Sequence, residues 1–170
     1  MPELETDLAL MLDEREEKRE RQQIRLKAMD FLAQREYGCQ ELQQRLLQRD
    51  YASDLVATEV AQLVAEGLLS DERFVESFVA SKRRRGQGPI RIRAELRERG
   101  ISQELIDAWL DVRDPEWLDV LREVHDKRFA GQLPGSMSER ARQQRFLNYR
   151  GFTAEQIKRL FKQDADDYFE

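Results

Sequence analysis

Three short breaks recur along the chain with one pattern: a basic residue closes a polar helix, a turn residue follows, then an apolar residue, then a small residue opening a new apolar helix. They read Arg49-Asp50-Tyr51-Ala52, Arg99-Gly100-Ile101-Ser102 and Arg150-Gly151-Phe152-Thr153, spaced fifty and then fifty-one residues apart. A period near fifty with no strand signal implies a row of small helical units, none of which can bury its apolar face alone. Neighbours must pack together. The expected fold is therefore all-α: an elongated, curved array of three tandem three-helix repeats with an N-terminal lead helix. Bodies of this kind hold macromolecules more often than they enclose small substrates.

The charge content fits that expectation. Charged residues make up 37% of the 170-residue chain, against about 25% in an ordinary globule, and a thin helical array has the extra surface to solvate them. The net charge of −5 hides strong segregation. Residues 1–20 hold eight acids and three bases, whereas residues 82–99 hold eight bases and two acids. Residues 140–162 hold seven bases and one acid, and 163–170 hold four acids and no base. Local field, not total charge, decides whether such a surface meets a polyanion. The single cysteine, Cys39, allows no internal disulfide and points to a reducing compartment. With no long apolar run and an acidic N-terminus lacking a secretory core, the expected location is the cytoplasm.

Residues 1–24 are expected to form an acidic, charged lead segment with a weak apolar stripe of Leu4, Leu8, Met11 and Leu12. Repeat 1 is expected over 25–67, with Ala28, Phe31 and Leu32 on one face, a break at Gly38, then Leu42, Leu46 and Leu47. Ser53 or Asp54 is the candidate cap for a third helix that turns Leu55, Val56, Val60, Leu63 and Val64 inward. Repeat 2 is expected over 68–113. Ser70 and Asp71 are cap candidates, and Phe74, Val75, Phe78 and Val79 form a face. Gly86-Gln87-Gly88-Pro89 is a break, Ile92 and Leu96 point inward, and Leu105, Ile106, Trp109 and Leu110 form a stripe. Repeat 3, with the acidic tail, is expected over 114–170. It has Trp117, Leu118, Leu121 and Val124 inward and capping boxes at Ser136/Glu139 and Thr153/Gln156. The expected count is about nine short helices plus the lead helix.

No catalytic constellation stands out. One histidine (His125) and one cysteine exclude a His-rich or thiolate metal cluster, so no cofactor and no metal are expected. The glycine-rich break has no preceding strand and no following Lys-Ser/Thr, so it is not a nucleotide loop. His125 reads as a surface or packing residue and Cys39 as an inert thiol. The positive signal is the basic tract. Lys82, Arg83, Arg84 and Arg85 crowd a helix C-terminus; Arg91, Arg93 and Arg97 follow, and Arg93 and Arg97 are like charges four apart, unfavourable unless a partner needs them. Arg140, Arg142 and Arg145 form a second, weaker patch, while Arg150 is assigned to the break. The bland alternative is a solvated face partly neutralised by Glu95 and Glu98. Few aromatics interleave with these arginines, so phosphate contact or an acidic protein groove is favoured over base stacking.

Three segments carry a resemblance to the RecX family of recombinase regulators: Gly67-Leu68-Leu69-Ser70-Asp71-Glu72-Arg73-Phe74, Arg83-Arg84-Arg85-Gly86-Gln87-Gly88-Pro89-Ile90-Arg91-Ile92, and Glu95-Leu96-Arg97-Glu98-Arg99-Gly100-Ile101. Glu41-Leu42 with Leu46, and Arg150-Gly151-Phe152, extend it over roughly residues 25–162. The resemblance implies three tandem three-helix units. It implies a non-enzymatic regulator that binds RecA and the RecA–DNA filament, inhibits recombinase, ATPase and coprotease activities, and so modulates recombinational DNA repair and the SOS response. DNA itself would be bound more weakly, through its backbone; no membrane is involved, and a monomer is expected. The candidate RecA and DNA contacts are Lys82, Arg83, Arg84, Arg85, Arg91, Arg93, Arg97, Arg140, Arg142 and Arg145. The chain departs from the family at Gly38, where a serine cap is common; that helix is expected to lack a side-chain cap. A general DNA-binding architectural protein and a helical protein–protein scaffold are the alternatives.

Overall fold

The computed structural model describes residues 2–167, with side-chain surroundings over 4–162. Among the described residues there are nine α-helices and no strand. They are α1 (Pro2–Gln34), α2 (Cys39–Leu47), α3 (Ser53–Ala65), α4 (Asp71–Arg84), α5 (Pro89–Glu98), α6 (Gln103–Trp109), α7 (Glu116–Phe129), α8 (Met137–Arg150) and α9 (Ala154–Asp167). The sequence predicts one helix more. The lead segment and the first helix of repeat 1 are a single 33-residue helix, α1. No glycine or proline lies between Glu3 and Tyr37, so nothing interrupts the hydrogen-bond ladder where the composition changes. The charge-rich 163–170 tail lies outside the described side chains. No helix among the described residues is long and apolar enough to cross a membrane.

The chain divides into two compact units, Met1–Phe74 and Val75–Glu170, with the division inside α4. In the first unit, Ile24 and Ala28 of α1 meet Leu42 and Leu46 of α2 and Leu55, Val56, Val60 and Leu63 of α3, with Tyr37 and Leu69 closing the cluster. Leu47 and Val64, read from sequence as inward, are exposed. Each follows a fully buried leucine, and a helix turns about 100° per residue, so where the leucine points straight into the core its successor lies at the edge of the buried face. The stripe of Leu4, Leu8, Met11 and Leu12 is also exposed. Arg25 ties α1 to α3 by donating to Glu59 at 2.8 Å and to Glu66.

The caps differ from their sequence reading in an instructive way. Neither Ser53 nor Asp54 caps α3: both lie inside the helix, and the N-cap is Ala52, which has no side-chain acceptor. The Glu20 carboxylate accepts from the Ala52 N–H at 2.8 Å instead. Helix α2 likewise has no cap from Gly38, yet it is not left without one, because the Asp71 carboxylate accepts from the Cys39 N–H at 2.7 Å. Ser70 does cap α4, accepting from the Arg73 N–H at 3.2 Å, and Arg73 reaches Glu36 at 3.0 Å. The Ser70-Asp71-Glu72-Arg73 run therefore starts one helix and holds another. Burial first, and then the neighbouring Asp71 charge, push the Cys39 thiol up to about 11, so this cysteine is not a thiolate at neutral pH.

In the second unit, Ile92 and Leu96 of α5, Ile106 of α6 and Leu110, which ends α6, are buried. Leu121 and Val124 of α7, Leu147 of α8, and Ile157, Leu160 and Phe161 of α9 form a cluster around Phe152. Trp109, expected in the α6 stripe, is 37% exposed and lies at the edge of the buried face. His125 is fully buried within this unit. The Gln143 amide nitrogen donates to Gln132 O at 3.0 Å, so its oxygen faces the ring and accepts from His125 Nε2–H at 2.9 Å. The side chain is a packing residue. Thr153 and Gln156 make both bonds of a capping box, at 2.9 and 3.1 Å. Ser136 caps Glu139, but the Glu139 carboxylate returns to the Gly135 N–H, one residue earlier than a box requires.

The three breaks that recur in sequence share a backbone solution. Asp50, Gly100 and Gly151 all adopt positive φ, at 60°, 76° and 99°. The next residue then turns back toward the core: Ile101 and Phe152 are buried and Tyr51 partly so. Ser102 and Thr153 cap the helix that follows. Each break is thus a left-handed helix stop, an apolar plug and a new start in four residues.

Candidate functional site

Two of the glycine turns in the second unit lock together and so set the position of the basic tract. The Gly88 N–H donates to Arg150 O at 2.7 Å, and the Ile90 N–H donates to Gly151 O at 3.0 Å. The backbones approach so closely that a Cβ on Gly88 would lie 2.3 Å from the Gly151 carbonyl carbon. A Cβ on Gly151 would lie 2.4 Å from Arg91 Cβ. Arg150 completes the joint by donating to Gly86 O at 2.9 and 3.1 Å and to Arg85 O. These carbonyls end α4, where a cation complements the helix dipole. Arg150 therefore belongs to the break, as its sequence position implies.

Beside this joint the end of the first basic tract meets cations of α7. The C-terminus of α4, the second half of α7 and α8 enclose a groove of about 280 Å³ lined by Arg84, Arg85, Lys127, Arg128, Phe146 and Arg150, with Glu123 as its one carboxylate. Lys127 pairs loosely with Glu123 at 3.9 Å. Arg128 lies over the rings of Phe129 and Phe146 at 5.6 and 5.7 Å. Arg84 and Arg85 are exposed and make no side-chain ion pair among the described residues. Lys127 and Arg128 were missed in sequence because Glu123 and Asp126 surround them and α7 reads as charge-balanced; only folding sets them beside Arg84 and Arg85.

The remaining candidates divide by how much of their charge the fold already uses. Lys82 is bound to Glu95 at 2.6 Å. Arg83 is bound to Glu116 at 2.6 Å and lies 4.7 Å from the Trp117 ring. Arg91 shares Glu95 at 3.3 Å and lies 5.2 Å from the Tyr149 ring. Arg93 is 3.9 Å from Asp107, and its Nε is buried without a hydrogen-bond partner. Arg97 donates to the neutral Gln103 at 2.6 and 2.9 Å and keeps its charge uncompensated. Arg93 and Arg97 do share a face of α5, but Asp107 and Gln103 of α6 stand opposite it, which sequence spacing alone did not reveal. On α8, Arg140 lies 5.4 Å from the Phe161 ring, Arg142 lies 6.0 Å from Phe129, and Arg145 is exposed. The cations left available are thus Arg84, Arg85, Arg97, Arg128, Arg140, Arg142 and Arg145.

Glu95 is the hub of the half that the fold consumes. Burial raises its pKa, but hydrogen bonds from Lys82, Gln87 and Arg91 outweigh that, so its carboxyl is held below the usual 4.5. A depressed carboxylate stabilises the fold above its unfolded pKa, and that contribution is lost as pH falls through the lower folded value. We expect urea midpoints to drop as pH is lowered below 4.5, and the Glu95→Gln variant to be less stable at pH 7 with a flatter acid dependence. Parallel acid curves for the two proteins would show that Glu95 is not the group responsible.

Among the described residues no group of His, Cys, Asp and Glu side chains could hold a metal ion. What the fold and the groove define is an all-α protein of three-helix units that carries a cationic groove. Residues 70–110 match the second three-helix domain of RecX and residues 114–161 the third. The chain is 44% identical over 144 residues to the regulatory protein RecX of Pseudomonas syringae pathovar tomato, covering 85% of this chain and 93% of that protein. It is likewise 44% identical over 146 residues to that of Pseudomonas putida, covering 85% and 94%. Its fold is similar to the crystal structure of RecX from Lactobacillus salivarius, with a TM-score of 0.73 at 17% identity over 87% of this chain and 98% of that one. The chain belongs to the RecX family, whose curated relatives are regulatory proteins.

Proposed function

We propose that the protein binds RecA and the RecA–DNA filament, and inhibits strand exchange, ATP hydrolysis and coprotease action. By doing so it modulates recombinational repair and the SOS response. Membership of the RecX family supports the regulatory role. The observation that carries the contact surface is the groove in which Arg84, Arg85, Lys127 and Arg128 converge with a single carboxylate among them. A cationic cleft focuses field on a polyanion, whether DNA phosphates or an acidic filament surface. The division into lead segment and three repeats is part of the same proposal, with the candidate contact cations on the second and third repeats.

Arg84 and Arg85 are the residues to test, because they are exposed and the fold makes little use of their charge. Arg91 and Arg93 are poorer probes, since their reversal would also disturb Glu95, Tyr149 and a buried guanidinium nitrogen. In an assay of DNA-dependent ATP hydrolysis by RecA, the Arg84→Glu/Arg85→Glu variant is expected to lose about tenfold or more in inhibitory potency, with unchanged helicity. Undiminished inhibition would remove the groove from the interface. Inhibition that added free duplex DNA abolishes would favour the general DNA-binding reading instead, since that affinity should fall steeply with salt.

A further inference from the structure

Tyr149 stands out against the other aromatic side chains of the second unit. It is 72% exposed, takes no part in the third-repeat core, and its hydroxyl makes no hydrogen bond among the described residues. Yet the ring is not loose. The Arg91 guanidinium lies 5.2 Å from its centroid, and Arg91 is itself held by Glu95 at 3.3 Å. Arg142 and Arg145 precede Tyr149 by seven and four residues, which places all three on one face of α8, opposite buried Gln143 and Leu147. The result is an exposed ring with a cation over it and arginines one and two turns away.

We propose that Tyr149, backed by Arg91, is a stacking platform for an unpaired nucleobase, with Arg145 and Arg142 taking the adjoining phosphates. The chemistry favours this occupant over an acidic protein segment. Carboxylates would use the arginines and leave the ring wet, whereas a single-stranded nucleic acid presents a π-face beside each negative charge. The cation–π contact holds the ring in place before the base arrives. This rests on the reading that the basic surface meets nucleic acid in the filament; it adds that the nucleic acid is read where it is single-stranded.

The test compares the full chain with its Tyr149→Ala, Tyr149→Phe and Tyr149→Leu variants at low salt. The probes are oligothymidylate, an abasic phosphodiester of equal length and a duplex. Wild type and Tyr149→Phe are expected to bind oligothymidylate alike, and the alanine and leucine variants about tenfold more weakly. None should differ on the abasic strand or the duplex. The leucine variant keeps apolar bulk at this position, so loss of fold is separable from loss of the ring, and thermal unfolding of each variant checks it. Equal losses on the base-bearing and abasic strands, or no loss on either, overturn the platform while leaving the basic surface standing. A parallel arm titrates RecA without DNA, and a loss there with none on oligothymidylate gives the ring to a protein contact and also overturns it. Failure of the wild type to bind either strand at low salt removes the nucleic-acid reading of the whole surface.

Discussion

Gly88→Ala and Gly151→Ala are each expected to lower the stability of the second unit by about 3 kcal/mol or more, the combined effect of overpacking and, at Gly151, of left-handed strain. The two positions fail for related reasons. At Gly88 the new methyl would meet backbone atoms of Gly151 and Phe152 at 2.3 to 2.5 Å, and backbone cannot rotate away as a side chain can. At Gly151 it would meet the Cβ and backbone nitrogen of Arg91 while φ stays near +99°. Either substitution has to part the α5 turn from the α8 turn and break the Gly88 and Ile90 hydrogen bonds. Urea unfolding read at both units checks this, and a shift under about 1 kcal/mol would show that the turns need not touch. Because that joint also sets Arg150 against the end of α4 and shapes the groove, both variants should lose the proposed filament inhibition along with stability.

Trp117→Ala carries the second large effect, about 3–5 kcal/mol, as expected for emptying a buried tryptophan site. The ring is 2% exposed, and its Nε1–H donates to Asp111 O at 2.8 Å, which fixes the turn leading from α6 to α7. Arg83 lies over it at 4.7 Å and is paired with Glu116. Trp117→Phe should recover much of the loss, since it keeps apolar volume and gives up only the hydrogen bond and part of the cation–π contact. Equal destabilisation by both would mean that the indole N–H, not packing, dominates. The same geometry separates Arg83 from its neighbours. Arg83→Ala is expected to act through stability, while Arg84→Ala acts through binding, although the two residues are adjacent in sequence.

How far the site was legible follows from the same residues. The breaks at Asp50, Gly100 and Gly151 were visible because a helix stop, an apolar plug and a cap must fall in consecutive residues, and consecutive order is what a sequence shows. The caps at Ser70, Ser102 and Thr153 were visible for that reason. Those supplied from a distance, Glu20 to Ala52 and Asp71 to Cys39, were not, because nothing local marks a carboxylate thirty-two residues away as a cap. The basic tract was legible as charge but not as availability. Lys82 and Arg84 are alike in sequence, yet one is bound to Glu95 and the other lines the groove.

The sequence by itself determined the helices, the breaks between them, most of each buried face and the segregation of charge, all of which are read from residues a few positions apart along the chain. Only the tertiary structure decided which cations remain available, that Lys127 and Arg128 join Arg84 and Arg85, and that Tyr149 stands exposed over Arg91. Those outcomes depend on where Glu95, Glu116 and the glycine turns lie in space. An arginine's free charge is what remains after carboxylates distant in sequence have made their claims, and that remainder does not exist until the helices have docked.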